Sequence, residues 1–134
     1  MKQYEILDLD KKSDERGWLI EVLGGELPMG CKEFGQLHVS VAYPGKVRGI
    51  HYHTRKVEWF CVPTGKGLLL LKDRETGDIC EIMMGVDDLK TIRIDPGMIH
   101  AIKNVGEGDM VLLVYSNEKF DPEDPDTFYE KILE

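Results

Sequence analysis

The stretch that decides the fold runs from Tyr43 to Gly65 and reads YPGKVRGIHYHTRKVEWFCVPTG. His51 and His53 are two residues apart, so on an extended strand both imidazoles project from the same face. Glu58 begins the next apolar run, and antiparallel pairing would bring its carboxylate back beside them. His100, in IDPGMIHAIKN, adds an imidazole from far along the chain. Because imidazoles and a carboxylate suit Zn, Mn, Fe or Ni, these four residues form a predicted metal site, with an ion-free polar cluster as the alternative.

Short apolar or alternating runs recur on both sides of this stretch. They are YEIL, GWLIEVL, QLHVSVAY, VRGIHYH, VEWFCV, GLLLLKD, ICEIMM, KTIRID, HAIKNV and MVLLVYS, with turn signals such as LPMG, ETGD and NVGEGD between them. This pattern predicts an all-β sandwich or barrel. Only DPEDPDTFYEKILE at the end favours a short C-terminal helix, with Pro125 near its start and Phe128, Ile132 and Leu133 on one side. No repeat or linker is visible, so residues 1–134 are expected to be a single domain.

The composition excludes several classes of protein. Hydrophobic residues make up 42% and charged residues 31% of the 134 residues, as in an ordinary globular domain. The formal charge of −8 argues against binding to nucleic acid. The sequence contains no apolar run long enough to span a membrane and no signal peptide, so we expect no membrane partner and a cytoplasmic location. The three cysteines lack CxxC spacing, and Cys61, within an apolar run, is expected to be buried.

Two further local patterns bear on a binding site. In QLHVSVAY the polar residues Gln36, His38 and Ser40 share one face of a predicted strand. That face either lines a wet cavity or simply meets solvent. Four cations lie close to the histidines and could set a positive field in one cleft, despite the negative net charge. They are Lys46, Arg48, Arg55 and Lys56.

The joint spacing of the metal-ligand candidates resembles that of the cupins. The first cupin motif, G(X)5HXH(X)3,4E(X)6G, is met at every fixed position by Gly45, His51, His53, Glu58 and Gly65. The second motif, G(X)5PXG(X)2H(X)3N, is met in part, by Gly97, His100 and Asn104, whereas Asp95 stands at the place of its first proline. The resemblance implies a cupin double-stranded β-helix, a jelly-roll barrel with the ligands at its mouth.

Longer stretches resemble one branch of the cupins. SDERGWLIEVL, FGQLHVSVAYPGKVRGIHYH and LLVYSNEKFDPEDPDTF are similar, in that order, to segments of the dTDP-4-dehydrorhamnose 3,5-epimerase family. The likeness is greatest to the C-terminal cupin half of bifunctional capsular-polysaccharide enzymes that reduce and epimerise UDP-4-keto sugars. That cupin carries zinc, so the resemblance implies one divalent ion, foremost Zn, with Fe, Mn or Ni as alternatives. It also implies a nucleotide-diphosphate sugar as the substrate, and a homodimer.

The resemblance assigns roles to particular residues. Arg48 and His51 would lie at the sugar, Gln36 would line the pocket, and Tyr115 would be the catalytic acid. Arg16 would bind the nucleotide diphosphate, including across a dimer interface, because a guanidinium fork suits a phosphate.

Trp59 would also contact the substrate, but here the sequence departs from the family. The 3,5-epimerases have at this position a lysine that stabilises the oxyanion. His51 cannot be both a metal ligand and a free base. The metal would then take over from the lysine, with His38 or Tyr115 moving the proton.

The sequence therefore predicts a metal-dependent isomerase or epimerase of a nucleotide-linked 4-keto sugar in polysaccharide precursor synthesis, acting through an enolate. Two alternatives stay open: a cupin that binds metal and sugar without catalysis, and a small iron-dependent cupin oxygenase. The metal's identity would separate the last, because zinc does not activate O2.

Overall fold

The computed structural model describes residues 4–24 and 35–130, and all regular secondary structure in these ranges is β. The described residues form twelve strands: β1 (Tyr4–Asp8), β2 (Lys12–Asp14), β3 (Gly17–Leu19), β4 (Gln36–Ala42), β5 (Val47–Tyr52), β6 (Glu58–Thr64), β7 (Lys66–Asp73), β8 (Ile79–Gly85), β9 (Lys90–Ile94), β10 (Met98–Asn104), β11 (Met110–Ser116) and β12 (Phe128–Tyr129). Within the described ranges, no helix has the length and hydrophobicity needed to cross a membrane.

The strands form two five-stranded antiparallel sheets that face each other. One sheet has the order β1-β9-β6-β11-β4 and the other β12-β5-β10-β7-β8, while β2 and β3 form a separate hairpin. From β4 to β12 the chain alternates between the two sheets, except that β7 and β8 pair within one of them, and this connectivity is that of a jelly roll. The predicted all-β cupin barrel is therefore confirmed.

Alternating apolar residues form the core between the sheets. On β7, Leu69 and Leu71 are buried, and Ile92 on β9 and Met110 on β11 meet them from the other sheet. Their period of two explains why these segments are strands, because each buries one row of side chains and turns the other row outward. Cys61 is also buried, as predicted.

The first cupin motif begins and ends in tight turns that require glycine. Gly45 has φ of 81° and Gly65 has φ of 92°, both in the left-handed region that side chains disfavour. A Cβ at Gly65 would lie 2.6 Å from the carbonyl oxygen of Asp109. These two glycines set the ends of the β5–β6 unit that carries the first three ligand candidates.

The predicted C-terminal helix is wrong for the described residues. Phe128 and Tyr129 instead pair with Tyr52 and His51 of β5, and the rings of Phe128 and Tyr52 stack with centroids 5.3 Å apart. Asp126 has φ of 47°, which a right-handed helix cannot contain. Long-range pairing has overridden the local helical pattern, while the predicted contacts of Ile132 and Leu133 lie outside the described residues.

The predicted strand GWLIEVL is shorter than its apolar pattern indicates. Only Gly17–Leu19 is extended, paired with Lys12–Asp14 in the two-stranded hairpin. Trp18 and Leu19 are 43% and 57% exposed, so this hairpin does not contribute to the core. The apolar run therefore does not mark an internal strand of either sheet.

Candidate metal centre and substrate cavity

A β-bulge in β5 turns two functional side chains toward the same side. Arg48 and His51 are three residues apart and would face opposite sides of a regular strand. The register between β5 and β10 shifts at this point: His100 pairs with His51, but Ala101 pairs with Gly49. Ile50 is the extra residue and has φ of 73°, a strained conformation for a β-branched side chain. The bulge allows Arg48 and His51 to line one cavity.

The four predicted metal ligands come together beside the bulge. The candidate ligand atoms of His51, His53, Glu58 and His100 all lie within 4.8 Å of one another. His53 is 5% exposed, Glu58 7% and His100 1%. The sequence spacing thus brings residues from β5, the β5–β6 loop, β6 and β10 to one buried point.

Hydrogen bonds fix which nitrogen of two histidines carries a proton. His53 Nδ1 lies 2.6 Å from the carbonyl oxygen of Asp126, and His100 Nδ1 lies 3.1 Å from that of Met98. A carbonyl only accepts, so both Nδ1 atoms donate, and in the neutral rings both Nε2 atoms carry a lone pair. This is the ring orientation found in metal-bound histidines, whose other nitrogen is held by a carbonyl or carboxylate.

The two Nε2 atoms point at a group that also carries lone pairs. Glu58 Oε1 lies 2.8 Å from His53 Nε2 and 3.2 Å from His100 Nε2. Among the buried side-chain nitrogen and oxygen atoms of residues 4–24 and 35–130, His100 Nε2 alone has no hydrogen-bond partner. Converging lone pairs need a cation between them, either a proton or a metal ion. A set of three imidazoles and one carboxylate fits a borderline divalent ion.

The ionisation of the cluster follows from its burial and its mutual contacts. Burial would raise the pKa of Glu58, but the adjacent imidazoles of His100 and His53 hold it well below the usual range. Burial lowers the pKa of His53, yet the hydrogen bond to Glu58 and its negative charge outweigh this and raise it overall. Burial, then the charges of His100 and His53, lowers the pKa of His51 to about 4. At neutral pH the cluster therefore offers a carboxylate and a neutral His51.

The cavity in front of the cluster has a volume of about 350 Å³. Gln36, His38 and Ser40 all line it, so the polar face of β4 faces the cavity rather than bulk solvent. Arg48 also lines the cavity, and its Nη2 lies 3.4 Å from Ser40 Oγ. The structure thus brings His38, Gln36 and Arg48 to the place where the sequence predicted a substrate.

Three other predicted site residues are not brought to this cavity. On β11, Leu112, Val114 and Ser116 line the cavity, so strand alternation turns Tyr115 to the outer face. Trp59 lies on the same outer face of the sheet, between the inward Glu58 and Phe60; it is only 6% exposed, and its ring lies 5.3 Å from that of Tyr115. Arg16 belongs to the β2–β3 hairpin, where it forms an exposed ion pair of 2.8 Å with Asp14. The expected roles of Tyr115 and Trp59 in this cavity therefore gain no support from their positions.

Lys56 lines the cavity, although the sequence identified it only as one of four cations close to the histidines. It is 6% exposed, lines the cavity, and has its Nζ 5.6 Å from the centroid of the Phe120 ring. The adjacent Arg55 turns outward and pairs with Glu118 and Asp124 at 2.9 Å each. Alternation along the loop thus separates one buried ammonium from one exposed guanidinium.

The segment after β11 supplies lining residues that sequence reasoning missed. Phe120, Thr127 and Tyr129 line the cavity mouth, and Tyr129 is 80% exposed with its ring 5.9 Å from that of His51. The backbone N–H of Phe120 donates to Gln36 Oε1 at 2.7 Å, which ties the segment to β4. In the sequence this segment lies within LLVYSNEKFDPEDPDTF, which resembles the epimerase family, and within DPEDPDTFYEKILE, which favours a helix; neither pattern predicts that it lines the cavity.

Comparisons with known proteins agree with this fold and site. Over 121 residues the chain is 36% identical to UDP-2-acetamido-2,6-beta-L-arabino-hexul-4-ose reductase of Pseudomonas aeruginosa, covering 90% of this chain and 31% of that protein. Over 128 residues it is 30% identical to the probable low-salt glycan biosynthesis epimerase Agl13 of Haloferax volcanii, covering 91% of this chain and 82% of that protein. Both relatives are named as enzymes, in line with the expectation from the sequence.

A solved crystal structure is also similar to this chain in fold and sequence. The crystal structure of capsular polysaccharide assembling protein CapF from Staphylococcus aureus is 33% identical, with a TM-score of 0.71, over 92% of this chain and 34% of that chain. The chain thus spans about a third of the length of this protein and of the Pseudomonas reductase. The matching family model covers residues 12–128, so the chain belongs to the family described as the polysaccharide biosynthesis C-terminal domain.

Proposed function

We propose that this protein is a metal-dependent epimerase or isomerase of a nucleotide-linked 4-keto sugar in polysaccharide precursor synthesis. The observation that carries the proposal is the convergence of imidazole and carboxylate lone pairs at one buried point, within a cavity lined by further polar side chains. The family and the names of the relatives support the polysaccharide context and the substrate class.

His51, His53, Glu58 and His100 would hold the metal ion. Zinc suits this donor set best, and Fe, Mn or Ni share its preference for imidazole and carboxylate. When bound, such an ion supplies a Lewis acid that can polarise a ketone oxygen.

The reaction itself asks for one base, one acid and a positive partner for an oxyanion. A 4-keto group acidifies the C–H bonds on the neighbouring carbons. A base removes one proton, the electron pair of that bond moves into an enolate, and a proton returned to the opposite face inverts the carbon. Returning it to a different atom of the enediol gives the ketoisomerase outcome instead. Substrate and product have the same oxidation state.

His38 is the proposed proton-transfer residue because it lines the cavity and lies outside the ligand cluster. Tyr115, the other candidate, faces away from the cavity. Lys56 is the proposed positive partner of the developing oxyanion, since its buried ammonium lines the same cavity. Lys56 would then stabilise the oxyanion, the role that the family resemblance gives to a lysine at the position of Trp59.

Arg48 on β5 and Gln36 on β4 both line the cavity, and we propose that they orient the sugar. The role proposed for Arg16 on the diphosphate requires a second subunit, because the hairpin that carries it does not line this cavity. We therefore propose a homodimer in which this hairpin, with Trp18 and Leu19 exposed at 43% and 57%, meets the partner.

A cupin that binds metal and sugar without catalysis is the second candidate. One observation favours it: the strand alternation of β11 keeps Tyr115, the expected catalytic acid, out of the cavity. The two candidates share a metal site and differ only in proton transfer.

The first experiment is metal analysis by mass spectrometry on the untagged protein, its His53→Ala variant and its His38→Ala variant. We expect close to one zinc per chain in the wild type and in His38→Ala, and loss of zinc in His53→Ala. Absence of every divalent metal from gently purified wild type would overturn the metal site, and iron in place of zinc would favour the oxygenase.

The second experiment follows deuterium incorporation from D2O into UDP- and dTDP-linked 4-keto sugars. We expect exchange next to the ketone with the wild type and its loss in His38→Ala at unchanged zinc content. A zinc-loaded protein that exchanges no proton in any such sugar would establish the non-catalytic alternative.

A further inference from the structure

One acidic side chain behind the metal cluster is unusually well enclosed. Asp126 is 3% exposed and lies in the segment between β11 and β12, 70 residues or more from the loop it contacts. Its Oδ2 accepts the backbone N–H groups of Arg55 and Lys56 at 3.0 Å each. Its Oδ1 accepts the backbone N–H of Thr54 at 2.9 Å and also the Thr54 hydroxyl. Four donors of one loop thus converge on a single carboxylate.

The backbone of the same residue contacts a metal-ligand candidate directly. The carbonyl oxygen of Asp126 accepts the Nδ1–H of His53 at 2.6 Å. With that proton held, His53 Nε2 is the nitrogen presented to Glu58, at 2.8 Å. The φ of 47° at Asp126 lets its carboxylate and its carbonyl reach the loop and the ring together. Aspartate tolerates this conformation better than most residues do.

We propose that Asp126 is a positioning residue of the metal centre. It fixes the tautomer and orientation of His53, and it holds the loop of residues 54–56 so that the Lys56 side chain enters the cavity. Groups that orient a ligating histidine change metal affinity by about 10- to 100-fold when they are lost. The inference rests on the proposed metal-dependent function, and it gives the segment NEKFDPEDPDTF a role that its sequence did not reveal.

The test compares two isosteric changes at two buried, loop-holding side chains. Asp126→Asn keeps the shape but turns an NH2 group toward backbone N–H donors. Asn104→Asp is the matched control, because Asn104 donates to the carbonyls of Ala42 and Gly108 at 2.8 Å each, away from the metal cluster. The readouts are unfolding in urea, zinc affinity by competition with a chelator, and exchange protection of the His53 Nδ1–H in 1H–15N spectra.

We expect both variants to unfold more easily than the wild type, whereas only Asp126→Asn changes the metal centre. Its zinc affinity should fall by about 10- to 100-fold and its His53 Nδ1–H should lose protection. Unchanged affinity and protection in Asp126→Asn would overturn the inference, as would an equal loss of both in Asn104→Asp.

Thr54→Val keeps the test decisive if Asp126→Asn does not fold. It removes one of the four donors, so we expect a loss of zinc affinity smaller than that of Asp126→Asn, with weaker Nδ1–H protection. No change in either would overturn the inference.

Wild-type protein that binds no zinc would refute the proposed function alone. The Nδ1–H protection of metal-free protein would then decide whether Asp126 positions His53.

Discussion

Strand β10 carries two buried polar side chains, His100 and Asn104, which differ in one respect. Asn104 is 1% exposed and fully paired: its Nδ2 donates to two carbonyls, and its Oδ1 accepts the N–H of Gly106 at 2.9 Å. His100 is equally buried, but its Nε2 has no hydrogen-bond partner and faces the carboxylate of Glu58. One residue completes the structure by itself, whereas the other needs a cation.

The difference separates a structural from a functional use of a buried polar group. A buried donor or acceptor without a partner costs about 1–3 kcal/mol, so a fold without further purpose would replace it or pair it. The Asn104 end of β10 shows that this barrel can pair such groups completely. The lone pair of His100 Nε2, directed at the Glu58 carboxylate, is the one that the proposed metal ion would satisfy.

Among the variants considered, Glu58→Gln should have the largest effect on zinc binding, because it removes the single negative charge of the ligand cluster. We expect zinc affinity to fall by more than about 100-fold, beyond the range typical of groups that merely orient a ligand. Chelator competition measures it. Glu81→Gln, at an exposed position of β8, is the control and should bind zinc like the wild type. Equal zinc affinity in Glu58→Gln would mean that the cluster holds only a shared proton.

Lys56→Met should slow proton exchange by about 100-fold, which is typical for loss of a group that stabilises an oxyanion. Deuterium incorporation into the 4-keto sugar measures the rate, with zinc content as a check. Arg55→Met is the matched control, since it removes the neighbouring cation outside the cavity. A similar loss in both variants would indicate that the field of the whole loop matters rather than the ammonium in the cavity.

Asn104→Ala should destabilise the metal-free protein by about 2–3 kcal/mol, because it leaves two carbonyls and one N–H without their partner. His100→Gln should cost about 1 kcal/mol or less, since the ring it removes already carries an unpaired nitrogen. Urea unfolding at equal zinc depletion compares the two. If His100→Gln proved the more destabilising variant, His100 would be a structural residue and the contrast along β10 would fail.

Much of the fold was predictable because most strands show their period in the sequence. The ligand cluster was predictable for the same reason: His51 and His53 are two apart, and a short loop returns Glu58. On β4 the strict alternation of QLHVSVAY predicted which side chains share a face. It did not predict whether the polar face lines a cavity or meets solvent. Local spacing therefore predicted the cluster of His51, His53 and Glu58 more firmly than the residues that line the cavity.

The sequence predictions fail where the local pattern does not show which way a side chain points or which strands pair. MVLLVYS is apolar at nearly every position, so it does not reveal that Tyr115 faces outward. The bulge at Ile50, which brings Arg48 beside His51, depends on pairing with β10. The two-residue strand β12 forms because Phe128 pairs with Tyr52 of β5 and Asp126 binds the loop that follows β5. These features depend on long-range contacts and could not be derived from neighbouring residues.

The smallest effect is expected where the segment after β11 is held at the surface rather than in the interior. Arg55 pairs with Glu118 at 2.9 Å, but its side chain is 44% exposed and that of Glu118 37%. Solvent screens an exposed ion pair and leaves it with little effect on stability, so Glu118→Gln should barely shift urea unfolding and should leave zinc affinity unchanged.

Urea unfolding at low and high salt measures the contribution, which should vanish at about 1 M salt because the charges are screened there. A loss of zinc affinity in Glu118→Gln would show that the surface pair, and not Asp126 alone, holds the ligand loop in place. Since the Asp126 carboxylate satisfies the loop's backbone donors from a buried position and Glu118 touches only a side chain, we expect the interior contact to dominate.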